Sequence, residues 1–217
     1  RDYTESAEAL ETSTRAGLDL QLSRQLDAVS SVFVSGGVQR FEADGGTGED
    51  SLSYDLRVGG QSAASPRLEF DASAGLSFIQ TLDDEAGRDD QIGVLFDLGA
   101  SYRPRSDTSV TASAQQSVDQ NDAGEIVNRA ALRLSVGHSI NNRSSLRFAT
   151  SLSIDNPVFD GGDENDAIFV VGPSYSYALT EDWSVRAGFQ TRIEDDESTT
   201  TDNRVFLVLS RGLTLLP

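Results

Sequence analysis

Polar and apolar residues alternate along this chain in runs of about a dozen residues, and few folds accept that pattern. In Gln91–Tyr102, the residues Ile92, Val94, Phe96, Leu98, Ala100 and Tyr102 fall on one face, and Gly93, Asp97, Gly99 and Ser101 fall on the other. Period two means strand, because successive side chains of a strand point to opposite sides. Strands of soluble domains usually run to about 5–6 residues, whereas a tilted strand needs about 9–11 to cross a bilayer. Eleven bilayer-length strands are predicted, over 14–23, 29–41, 51–60, 67–81, 91–102, 108–118, 126–139, 145–154, 167–179, 183–193 and 203–215.

The connections alternate too. Arg24–Ala28, Gln61–Pro66, Arg103–Asp107, Ile140–Ser144 and Thr180–Asp182 are short and carry turn residues such as Asn141-Asn142. Glu42–Asp50, Asp83–Asp90, Asp119–Glu125, Asp155–Asp166 and Glu194–Asp202 are longer and nearly free of apolar residues. These long connections hold most of the 35 acidic residues, with Arg88 as their only base. One end of the molecule is therefore strongly acidic and the other roughly neutral. The net charge of −18 removes nucleic acid as a partner, since phosphate binding needs a basic face. With no cysteine there is neither a disulfide nor a thiolate site. A mean hydropathy of −0.33 fits a wall that shows apolar groups only at every second residue.

Long loops at one end and tight turns at the other match the plan of a transmembrane barrel. The hairpins Gly17–Asp27 (GLDLQLSRQLD) and Ser174–Phe189 (SYSYALTEDWSVRAGF) resemble hairpins of bacterial outer-membrane β-barrels. The chain is most similar in character to β-barrel porins associated with exopolysaccharide loci. The resemblance implies an all-β, antiparallel up-and-down transmembrane β-barrel in the outer membrane, with extracellular long loops and periplasmic short turns. Lipid and lipopolysaccharide would be its surroundings. One departure is the ending Leu213-Thr-Leu-Leu-Pro217, where such barrels end on an aromatic residue.

An odd strand count conflicts with the even number of bacterial barrels, so 12 or more strands are expected in the complete protein. Residues 1–13 then read as a sixth acidic loop or as the tail of a missing strand, and 14–217 as the barrel domain.

The face holding Leu18, Leu20, Leu56, Val58, Leu132, Leu134, Leu207 and Leu209 is expected to meet lipid. Tyr102, Tyr177, Trp183, Phe41 and Phe159 are expected to form aromatic girdles at the strand ends. The other face should line a lumen. Its first half carries Asp19, Asp55, Glu69, Asp71 and Asp97, with Arg57 as the exception; its second half carries Arg129, Arg133, Arg147, Arg186, Arg192 and Arg204. Two arrangements follow: opposed walls setting a field across open water, or charges pairing across a narrow, closed lumen.

No catalytic constellation is present, so the protein is not expected to be an enzyme. The single histidine, His138, falls on the apolar face beside a strand end. Asp160, Asp163 and Asp166 are weak calcium candidates, carboxylates on a Gly-rich turn without a complete loop register, and the acidic loops should bind divalent cations weakly at most. No cofactor is implied. The expected function is a porin-like conduit or envelope anchor. The alternatives are a closed-lumen barrel docking an envelope partner or a further copy of itself, and a secreted β-sandwich adhesin.

Overall fold

A computed structural model describes residues 12–44, 51–81, 90–120, 126–157, 166–195 and 198–212. They form eleven strands: β1 (Thr12–Gln25), β2 (Ser30–Asp44), β3 (Ser51–Ser65), β4 (Leu68–Thr81), β5 (Asp90–Arg105), β6 (Thr108–Gln120), β7 (Ile126–Asn141), β8 (Ser144–Pro157), β9 (Asp166–Ala178), β10 (Trp183–Asp195) and β11 (Thr199–Arg211). Each pairs antiparallel with its neighbours in sequence, giving a single sheet in the order β1 to β11, with β1 and β11 as its edges. The described residues form this one continuous sheet.

Most strands are longer than the alternation alone indicated, at 13–16 residues, though β4, β9 and β11 are not. Asp155 and Glu194, assigned to connections from sequence, belong to β8 and β10. β11 begins at Thr199, where 203 was expected. In each case polar residues continue the ladder past the apolar stretch, because backbone pairing does not need an apolar side chain to carry it.

The short turns are built by local acceptors. Asn141 Oδ1 accepts the N–H groups of Arg143 (2.9 Å) and Ser144 (3.0 Å), and Thr180 Oγ1 accepts that of Trp183. Asp27 accepts the N–H of Val29, and this backbone hydrogen bond holds its pKa below the ordinary aspartate value. Register shifts at 63/65, 102/105 and 139/141 place three bulges beside the short turns, where the extra residue sharpens local twist. In β9, pairing with β10 skips Gly172 and Pro173, as expected where proline lacks a donor.

Directly opposed residues in a ladder share a face, so the registers sort every strand. The apolar face is the exposed one: Leu20 is 69% exposed, Leu56 61% and Val205 82%. On the polar face Ser77, Ile79, Leu95 and Val127 are shielded by their neighbours, each 1% exposed, while Asp19, Asp71, Arg133 and Arg147 are open to water. The sheet therefore curls with its polar face inside and its apolar face outside, the inverse of a water-soluble domain. Tyr102, Tyr177 and Trp183 stand on the outer face near the short turns, with the Arg211 guanidinium 5.4 Å from the Trp183 ring centre. Phe41 differs from expectation. It pairs with Ser51 and lies on the inner face, since Arg40 beside it takes the outward position. Phe159 lies outside the described residues.

Candidate functional site

The inner face is the candidate site, and strand register places all twelve expected residues on it. Asp19 and Asp55 both oppose Gly37. Arg57 opposes Gly75, Asp71 opposes Gly99, Glu69 opposes Ser101, and Asp97 opposes Gln115. Arg133 lies between Ser113 and Ser151, and Arg129 between Ser117 and Asp155. Arg147 opposes Ser174, Arg186 opposes Ser176 and Val208, Arg192 opposes Val170 and Asp202, and Arg204 opposes Gln190.

These pairings show how long side chains fit on a curved interior. The Asp19 carboxylate lies over Gly37 and that of Asp71 over Gly99, in the space a Cβ would take. The stem of Arg57 covers Gly75 in the same way. The hollow left by each glycine takes the body of the residue opposite.

Among the described residues, this face carries the ion pairs Arg129–Asp155 and Arg192–Glu194, both local. Arg129 holds Asp155 on the adjoining strand through two nitrogens, Nε at 2.8 Å and Nη2 at 2.6 Å. Arg192 holds Glu194, two residues along β10, at 3.0 Å. Arg133 donates from Nη1 to Gln115 Oε1 at 2.9 Å, and Arg186 from Nε to Ser176 Oγ at 3.2 Å. Among the described residues, Asp19, Asp55, Arg57, Glu69, Asp71, Asp97, Arg147 and Arg204 have no ion-pair partner. Asp202, opposite Arg192, is an inner-face acid that sequence reasoning missed, and so are Asp155 and Glu194. The alternation of the last two with Ser153 and with Arg192 carried the signal, but the acidic run beyond each of them suggested a loop.

In the half of the sheet next to the long connections, the inner face also buries Ile79, Leu95, Val127 and Ala131. There β5 and β6 stop pairing beyond Phe96 and Gln116. A Cβ on Gly93 would stand 2.5 Å from the Val118 side chain, so only glycine allows this approach. This end of the interior is narrowed by apolar side chains.

Asp166 opens β9 on the inner face opposite Asp155. Asp160 and Asp163 lie outside the described residues. Among the described residues, no group of three or more His, Cys, Asp or Glu side chains is placed to hold a metal ion. His138 is exposed on the outer face, with Nδ1 3.0 Å from Thr108 Oγ1.

No protein-family model and no curated protein matches the sequence. Solved structures do match the fold. The outer membrane channel DcaP of Acinetobacter baumannii superposes with a TM-score of 0.60 at 14% identity, over 89% of this chain and 61% of that one. The fold is that of a bacterial outer-membrane β-barrel. The FrpB iron transporter from Neisseria meningitidis gives a TM-score of 0.62 at 8% identity, over 85% of this chain and 36% of that protein. The barrel sheet described here thus spans less than two thirds of the length of either structure.

Proposed function

We propose that the protein is an integral outer-membrane barrel acting as a porin-like conduit, with its long acidic connections extracellular and its short turns periplasmic. One observation carries this reading: an exposed apolar outer face backs an inner face on which, among the described residues, ten of the twelve charged residues named above lack an ion-pair partner. A charge without a protein partner is too costly to hold in a dry interior, so water must fill the space around Asp19, Asp55, Asp97 and Arg147. In lipid the edge groups of β1 and β11 must also be paired, so the membrane form of the sheet is a closed wall. A second reading, a closed barrel that docks an envelope partner, draws on the apolar narrowing around Leu95 and Val127.

Planar-bilayer recording separates the two. The conduit reading expects stepwise, ohmic conductance that favours cations at low salt, because the acidic mouth concentrates them. Folded protein that inserts without conducting would leave the closed barrel.

A further inference from the structure

β6 divides the inner face. The acids of β1, β3, β4 and β5 are accompanied by one arginine, Arg57, and the arginines of β7, β8, β10 and β11 by Asp155, Asp166, Glu194 and Asp202 toward the long connections, while β6 presents Ser109, Thr111, Ser113, Gln115 and Ser117 between them. The acidic and basic walls therefore meet side by side along a neutral strip as well as facing one another.

Two pockets open on this strip. One, of about 430 Å³, is lined by Glu69, Asp71, Gln61, Ser101 and Thr111 and contains no basic residue. The other, of about 400 Å³, is lined by Arg133, Arg147, Ser113, Ser135, Ser151 and Thr111 and contains no acidic residue. Thr111 and Ala112 line both, so the pockets adjoin across β6.

Asp71, Gly99, Ser113 and Arg133 occupy one register row. The Asp71 carboxylate leans over Gly99 on β5, and Arg133 leans to Gln115 on β6, leaving glycine and hydroxyl residues as a low floor between the two charges. From β5 to β7 is two strand spacings, about 10 Å. Three extended residues of a peptide span about the same length.

The geometry points to a binding site for small zwitterions on this stretch of wall, with short peptides as the class that fits its length. The ammonium sits against Glu69 and Asp71, the carboxylate against Arg133 and Arg147, and the peptide groups lie along the hydroxyls of Thr111, Ser113 and Ser135. A solute with one charge satisfies one pocket and leaves the other unmatched. This site rests on reading the inner face as a hydrated lumen.

The test uses triglycine as the probe, with N-acetyl-triglycine (anion only) and triglycine amide (cation only) beside it. Binding is measured by calorimetry on the protein folded in detergent, and current block is recorded in planar bilayers. Triglycine is expected to bind, and each singly charged analogue to bind at least about tenfold more weakly, the worth of a charge-assisted hydrogen bond. Replacing Arg133 and Arg147 together by Ser should abolish triglycine binding, as should Glu69→Gln with Asp71→Asn. Arg133→Lys with Arg147→Lys should retain it, which guards against loss by misfolding. Equal binding of N-acetyl-triglycine would overturn the proposal by removing the acidic pocket from it, and so would absence of triglycine binding to folded protein. Calorimetric binding without any conductance would uphold the site and reject the conduit. Conductance without binding would do the reverse.

Discussion

Glycines on the inner face stand opposite long side chains, and two of them make unlike demands. A Cβ at Gly37 would meet chiefly the Asp19 carboxylate, the free end of a side chain that can swing aside. A Cβ at Gly75 would meet the Leu56 carbonyl oxygen and the Arg57 backbone, which cannot. Gly75→Ala should therefore cost about 1–3 kcal/mol, the usual range for overpacking, while Gly37→Ala should stay within about 0.5 kcal/mol. Urea unfolding of the two variants in the same detergent checks this, and an equal loss in both would contradict the contact pattern.

At the scale of one strand, β7 sets adjacent residues in opposite media. Leu132 is 54% exposed on the outer face, and Arg133 beside it points inward. Leu132→Arg places a guanidinium in hydrocarbon and should cost about 2–4 kcal/mol near the bilayer midplane. Arg133→Ser removes one hydrogen bond, to Gln115, in a hydrated setting and should be milder. Folding titrations into lipid vesicles would measure both. A silent Leu132→Arg beside an unfolding Arg133→Ser would reverse the two faces.

For the whole molecule, the alternation of short and long connections gives the sheet two distinct ends. Short turns such as 142–143 cluster at one end and long acidic connections at the other. The chain contains no cysteine, so an introduced one is a unique label. With the long connections outside, Asn121→Cys should react with a bulky polyethylene-glycol maleimide on intact cells, and Asn142→Cys should react only after the outer membrane is broken. The opposite labelling would invert the orientation.

The sequence by itself determined the strands, the direction in which they alternate, and which residues share a face. Leu132 and Arg133, or Asp71 and Ala72, could be sorted because period two is local and does not depend on what lies across the sheet. Strand ends were less legible: in Ser153–Asp155 and Arg192–Glu194 a polar ladder runs straight into an acidic loop with no change of composition. What only the tertiary structure decided is lateral arrangement. Cross-strand register pairs Arg129 with Asp155, lays Asp71 over Gly99, turns Phe41 inward and sets the Ser109–Ser117 stretch of β6 between acidic and basic walls. Those relations join residues far apart in the chain through backbone hydrogen bonds, and a one-residue slip in any ladder would move a whole strand to the other face.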